Sequence, residues 1–240
     1  MTTINLDQPV THCPLCKRSN QRTQLSPENG NTIRYYFCPC GLYYASSYMT
    51  EEDTHEWYAS GEYRQILSGA PGLSDELVQS ESDHAAQIAP LIYERVYKYA
   101  KILDIGCSSG VLLEELRNHY QCEAHGVEWS WRLREECQKR DIKCYASMDE
   151  VTEHYSLVIL SHVLEHTLKP MELLREIYNH LNGRLIVQVP LMMPGVPHPL
   201  VFTEASAVLM LERAGYRILS SRAGQHFTIW AAKAVDNGTE

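Results

Sequence analysis

Positive charge is what this chain of 240 residues most lacks: 21 Lys and Arg stand against 30 Asp and Glu, a formal net charge of -9. Broad, sequence-independent binding of duplex nucleic acid needs a dominant basic face, so the balance argues against it, and only a localised basic contact with RNA stays open. No stretch approaches the ~20 apolar residues that span a bilayer. Met1 to His12 lack the basic start and long apolar run of a signal peptide. Internal repeats and low-complexity segments are missing too. The expectation is a cytoplasmic chain without membrane association, whose eight cysteines are reduced thiols available as metal ligands or core residues. At roughly 100–200 residues per domain, the length holds one full domain and a small accessory one.

Charge and cysteine are unevenly spread. Residues 1–48 carry a net +2, residues 49–100 a net -7, and residues 101–240 the remaining -4. Two close cysteine doublets, Cys13/Cys16 and Cys38/Cys40, precede four scattered cysteines at 107, 122, 137 and 144. Four segments follow: 1–48, a small cysteine-bearing ribbon; 49–97, an acidic, aromatic-rich helical linker or lid; 98–235, the main domain; and 236–240, a tail.

In the main domain short apolar runs read as strands: Lys101 to Ile105, Glu123 to Val127, Ile142 to Tyr145, Leu157 to Leu160 and Arg184 to Val189. Between them Val111 to Tyr120, Trp131 to Arg140 and Met171 to Leu181 repeat apolar residues every three or four positions, the helical period. Strand and helix in alternation imply a parallel sheet with helices on both faces. Thr203 to Ala214 reads as a further helix, and Tyr216 to Ser221 and His226 to Ala232 as a closing antiparallel pair. The expected fold is α/β and Rossmann-like, a seven-stranded, mostly parallel sheet with an antiparallel edge.

The first strand runs into Asp104-Ile-Gly-Cys-Ser-Ser-Gly110 and then a helix. Gly106 and Gly110 let backbone approach a ligand and let helix approach strand. Glu128 follows 22 residues after Gly106, where a carboxylate can accept hydrogen bonds from both hydroxyls of a ribose. An adenosine-type ligand is implied. An acid two residues before the first glycine suits no pyrophosphate, since like charges repel, but it suits an amino group or a sulfonium.

These residues resemble a class I S-adenosylmethionine-dependent methyltransferase. The resemblance covers about residues 98–235: the glycine loop from Asp104, the acid Glu128, and Leu157-Val-Ile-Leu-Ser-His-Val-Leu-Glu-His166 after the fourth strand. Ser108 departs from the common GxGxG form, and Ser156 stands where many members have Asp. The resemblance implies that Asp104, Gly106, Cys107, Ser108 and Gly110 hold the methionyl part of S-adenosylmethionine and that Glu128 holds the ribose. Trp129 would pack on the adenosine, or simply at a helix start. Ser147 and Met148 would reach the adenine, with Ser161 and His162 also lining the cofactor.

Methyl transfer is an in-line displacement from a sulfonium, so the enzyme chiefly positions the acceptor and excludes water. A hydroxyl acceptor also needs a base titrating near neutrality, usually His. His162, His166 and His198 are the candidates, with Glu165 beside the first two; each imidazole has a structural role as its alternative. His198 lies in the loop Pro190-Leu-Met-Met-Pro-Gly-Val-Pro-His-Pro199, whose prolines restrict the chain. His162-Val-Leu-Glu-His166 also fits the H-x-x-E-H pattern of a zinc protease, but follows a strand end instead of lying within a long helix. Some O-methyltransferases hold a divalent metal on an E-x-x-E-H cluster after the fourth strand, which leaves metal-assisted catalysis as a variant.

Cys13-Pro-Leu-Cys16 and, 21 residues on, Cys38-Pro-Cys40 read as two knuckles on one structural zinc, with His12 in reserve as a ligand. Four thiolates and one zinc add two negative charges, cancelling the segment's +2. The stretch from Cys38 through Leu42-Tyr-Tyr, Trp57-Tyr and Tyr63-Arg resembles zinc-ribbon methyltransferases of sugar and cell-surface glycan pathways. Its aromatics offer stacking faces for a sugar, or an apolar seam. The reading is therefore a methyltransferase acting on a small polar acceptor, a sugar or nucleotide-linked sugar. An RNA-directed methyltransferase and a non-catalytic S-adenosylmethionine-binding zinc protein are the alternatives.

Overall fold

The computed structural model describes residues 6, 8–19, 24–25, 34–60, 75–93, 100–195, 198–224 and 226–234. Tyr63, the 236–240 tail, and Val196 and Pro197 of the proline-rich loop lie outside the described residues.

Five short strands come first: β1 (Gln8–Pro9), β2 (Gln24–Leu25), β3 (Tyr35–Phe37), β4 (Tyr43–Ala45) and β5 (Ser47–Tyr48). Helices α1 (Glu51–Ser60) and α2 (Asp75–Tyr93) follow. Strands and helices then alternate as β6 (Lys101–Ile105), α3 (Val111–Tyr120), β7 (Glu123–Val127), α4 (Trp131–Lys139), β8 (Lys143–Tyr145), β9 (Tyr155–Ser161), α5 (Pro170–His180) and β10 (Leu181–Val189). The remainder is β11 (Leu200–Val201), α6 (Glu204–Arg213), β12 (Tyr216–Arg222) and β13 (Phe227–Lys233). Among the described residues no helix is long and apolar enough to cross a membrane.

The central sheet has the order β12-β13-β10-β9-β6-β7-β8. Its β6/β7 and β7/β8 pairs are parallel, and β13 runs antiparallel to both β10 and β12. This is the mostly parallel sheet with an antiparallel edge that the alternation implied. Two compact units divide the chain, one built on Thr50–Ile159, the other on Asn5–Met49 and Leu160–Glu240.

In the first unit Ile102, Leu103, Leu113, Leu116, Leu133 and Val158 are buried. Helix α3 buries Leu112, Leu113 and Leu116, the three- and four-residue spacing that gives a helix one apolar stripe. Gly110 caps it at φ 83°, a left-handed conformation that costs glycine little. Ser156, which stands where many members of the resembled family have Asp, bonds both the N–H and the carbonyl of Lys101 through its hydroxyl.

The second unit buries Leu185, Ile186, Val187, Met210, Leu211 and Ile229. Helix α5 opens with Pro170, favoured at a first helical position, and buries Met171, Leu174 and Ile177. A reciprocal Thr203/Ser206 capping box starts α6. The N-terminal strands form a sheet of order β11-β4-β3-β2, in which Leu200 pairs with Tyr44 and Val201 with Tyr43.

Candidate functional site

The cofactor cradle expected from the glycine loop lies in the first unit. Asp104 is the next-to-last residue of β6 and is buried. The turn after it is fastened to β7, with Gly106 N–H and Cys107 N–H both donating to Val127 O at 2.8 and 3.2 Å. Gly106 sits at φ 74° and Ser108 at φ 54°. A non-glycine residue there carries strain that its surroundings must offset. Ser108 is held from both ends. Its N–H donates to Glu128 Oε2 at 3.1 Å, and its hydroxyl, with that of Ser109, bonds the two carboxylate oxygens of Glu81.

Glu128 is buried, and its carboxylate also accepts from Ser130 N–H at 2.8 Å through Oε1. Two backbone amides therefore orient the acid. Arg134 Nη1 ties the following backbone, donating to the carbonyls of Glu128 and Trp129. Trp129 is half-exposed and meets His55 and Tyr58 of α1 at ring-centroid distances of 5.2 and 5.9 Å. Ser147 is the extended residue before a single 3-10 turn, Met148–Glu150, in which Met148 is buried. Glu81 was missed in the sequence. It is one acid among many in the 49–100 segment, and nothing in its spacing marks it.

The second unit gathers the histidines. His162 has φ 56° and donates its N–H to Gln188 O at 3.0 Å. Ser161, anticipated at the cofactor, donates its hydroxyl to Gln188 Oε1 at 3.1 Å, and Gln188 Nε2 donates onward to Thr228. Leu164–His166 form a 3-10 turn that aims Glu165 inward, where it is 1% exposed. His162 Nδ1 lies 3.2 Å and His166 Nε2 3.9 Å from its Oε1. Both carboxylate oxygens are buried and lack a partner of strict hydrogen-bond geometry among the described residues. Burial alone would raise this carboxyl's pKa. The adjacent His162 and the charge of His166 outweigh it and hold the group below its ordinary value. His198 stands edge-on to His166 at a ring-centroid distance of 4.8 Å, and its Nδ1–H donates to Met193 O at 2.9 Å. His226 stands edge-on to His162 at 4.4 Å, and burial lowers its pKa.

In the same unit all four doublet cysteines converge, with ligand atoms within 4.8 Å of one another. Cys13 and Cys40 sulfurs are 3.6 Å apart, those of Cys16 and Cys38 3.3 Å. Thiolates about 2.3 Å from a tetrahedral zinc lie ~3.8 Å apart, so the donors fit that ion. Each knuckle turns through a left-handed residue, Lys17 at φ 60° and Gly41 at φ 87°, with Lys17 N–H on Cys13 O and Gly41 N–H on Cys38 O.

A parallel α/β sheet whose first turn is glycine-bearing, followed on the next strand by a fixed acid, defines a nucleotide-type ligand fold. The methyltransferase domain family matches residues 75–234. The chain belongs to that family and is an S-adenosylmethionine-dependent methyltransferase. Solved structures share the fold at low identity. The 1,6-didemethyltoxoflavin-N1-methyltransferase of Burkholderia thailandensis, solved with its acceptor and S-adenosylhomocysteine, is 14% identical with a TM-score of 0.63, over 88% of this chain and 99% of that one. The magnesium protoporphyrin IX methyltransferase of Synechocystis PCC 6803 is 15% identical with a TM-score of 0.60, over 77% and 100%. A glycopeptide N-methyltransferase is 12% identical with a TM-score of 0.52, over 62% and 86%. No curated protein matches the sequence.

Asp104 gives this cradle a pH signature. Burial first, then the neighbouring acid Glu128, holds its carboxyl well above the usual range. An acid raised on folding disfavours the folded form once it must ionise. The ligand-free protein should therefore lose stability as pH climbs from about 4, the unfolded value, through the folded one. A cationic ligand restores the ionised form, so its binding should tighten over the same range and release a proton. Asp104→Asn should abolish both slopes, melting higher than wild type near neutrality and binding cofactor more weakly. Melting curves and calorimetry against pH check this; identical slopes in both proteins would refute it.

Proposed function

We propose that this enzyme methylates a small polar acceptor, a sugar or nucleotide-linked sugar, with an imidazole from the set His162, His166 and His198 as base or orienter. The observation that carries the reading is the convergence of these rings on one buried carboxylate, Glu165. A carboxylate beside an imidazole favours its protonated form and so supports proton uptake from a hydroxyl. The solved relatives bear on acceptor size alone: their names give a toxoflavin precursor, a porphyrin and a glycopeptide. Asp104, Gly106, Cys107, Ser108, Gly110, Glu128, Trp129, Ser147, Met148, Ser161 and His162 are assigned to the cofactor, and Cys13, Cys16, Cys38 and Cys40 to a structural zinc.

The test is a panel of nucleotide sugars, free sugars and short RNAs incubated with methyl-labelled cofactor. Label in a sugar supports the reading; label in RNA alone overturns it. One observation favours a metal-assisted variant: Glu165, His166 and His198 bring ligand atoms within 4.8 Å of one another, around a carboxylate lacking a partner of strict hydrogen-bond geometry among the described residues. Oxygen and imidazole donors of this kind suit Mn2+ or Fe2+. Stimulation of the same assay by added Mn2+ would establish the variant, and indifference to it would exclude it.

A further inference from the structure

A second cluster of thiols lies at the glycine loop, and of its members only Cys107 is among the residues assigned to the cofactor above. Cys107 comes from the loop itself, Cys137 from α4 and Cys144 from β8. The Cys107 sulfur is 3.6 Å from that of Cys144 and 3.9 Å from that of Cys137, and all three donors lie within 4.8 Å of one another. None is in a disulfide; Cys107 and Cys137 are buried, and Cys144 is partly exposed. Sulfurs about 2.3 Å from a shared central ion stand ~3.5–4 Å apart, so little movement separates this arrangement from a three-sulfur ligand set.

Neighbouring glycines make room for the sulfurs. A Cβ on Gly126 would stand 2.3 Å from the Cys107 sulfur and 3.3 Å from that of Cys144, and one on Gly110 would stand 3.0 Å from that of Cys137. Any side chain at 126 would drive the Cys107 sulfur away.

We propose that Cys107, Cys137 and Cys144 form a binding site for a soft, thiophilic ion taking three sulfur ligands, and that charge selects a trivalent one. Thiolate sulfur prefers soft ions over hard ones. Three thiolates on a divalent ion leave a net negative charge, beside the buried carboxyls of Asp104 and Glu128, where burying more negative charge is costly. Three on a trivalent centre are neutral. With arsenite as the probe the step balances as As(OH)3 plus three thiols giving the tris-thiolate and three waters. Three As–S bonds replace three As–O bonds, each thiol proton leaves on a hydroxide, and no electron is transferred. Cys144, the partly exposed member, is the point of entry.

Occupancy reaches the cofactor loop. The Cys137 thiol donates to Ser108 O at 3.3 Å, and ligation removes that proton. S-adenosylhomocysteine should then bind about fivefold more weakly, the worth of one hydrogen bond. This coupling rests on the cofactor assignment above, whereas the ion site does not, and the two are read separately.

Zinc-loaded protein, its ribbon thiols already occupied, is titrated with arsenite, and bound arsenic and unreacted thiols are counted after desalting. Wild type should retain one arsenic and lose three reactive thiols. Cys144→Ala and Cys137→Ala should each retain less than a tenth as much, and Cys122→Ala, which alters a buried cysteine outside the cluster, should match wild type. Circular dichroism identifies a variant that has failed to fold, and the other cluster variant then decides. Equal retention by all four proteins, or by none, overturns the site. One Cd2+ retained in place of arsenic overturns the choice of a trivalent ion. A fivefold change in S-adenosylhomocysteine affinity absent from arsenite-loaded wild type overturns the coupling alone.

Discussion

Cys13→Ser should leave the purified protein with less than a tenth of an equivalent of zinc, against one in wild type, and lower its melting temperature by ~10 °C or more. Structural zinc contributes about 10–16 kcal/mol in small ribbons, comparable with the entire stability of an ordinary domain. Even a third of that corresponds to a shift of this size in a chain of this length. Strands of two and three residues cannot hold themselves together, so a metal on the four sulfurs would be a strong tie among the described residues of this segment. The damage should spread along contacts inside the second unit. Tyr35 accepts from Gly195 N–H and donates from its hydroxyl to the carbonyls of Gly195 and His198, and Thr203 donates to Gly41 O. Loss of zinc should therefore release the loop that carries His198 and depress turnover at temperatures where the sheet is intact. Zinc content by emission spectroscopy, with thermal melts, checks the expectation. A wild-type protein free of zinc, or a Cys13→Ser protein with an unchanged melt, would count against the ribbon as a metal site.

Single replacement of His166 or His198 by Ala should reduce kcat by about 100-fold to 1000-fold, the usual contribution of a positioned base, while cofactor affinity changes by less than about threefold. Loss confined to turnover is what a group acting only in the transition state produces. A structural histidine would instead lower stability and cofactor affinity together. Steady-state kinetics on the acceptor identified by the panel, paired with calorimetry, separate the two. Unchanged turnover in both variants would remove them as bases. His166→Gln and His198→Gln add a finer reading, since an amide can orient an acceptor but cannot take its proton.

Local periodicity accounts for how much of the fold was legible. Strands Lys101–Ile105 and Glu123–Val127 and helix Val111–Tyr120 fall where the apolar pattern puts them, because each is specified by side chains within it. Strand β10 begins at Leu181, three residues before the expected start, since Asn182 and Gly183 carry no apolar signal, and α5 stops one residue short of its expected end. The N-terminal sheet was not legible strand by strand. Its elements are too short for a period, and its edge is supplied by Leu200–Val201, which only tertiary pairing can bring there. For the same reason Asp104 and Glu128 stood out in sequence, while Glu81 did not. The scattered Cys107, Cys137 and Cys144 likewise gave no spacing signal, because α4 and β8 bring them together in space.

The Tyr35 hydroxyl and its Gly195 partner are 160 residues apart in the chain, and strand β4 waits nearly as long for β11. During synthesis the cysteine knuckles emerge before the main sheet, yet the edge beside them has no partner until Leu200–Val201, more than 150 residues further on, leave the ribosome. Pairings of such high sequence separation form slowly. An unpaired edge meanwhile invites strands from other chains. Early metal capture would keep this nascent edge short and folded, so zinc supply during translation, more than zinc added afterwards, should govern how much of the enzyme is recovered in soluble form.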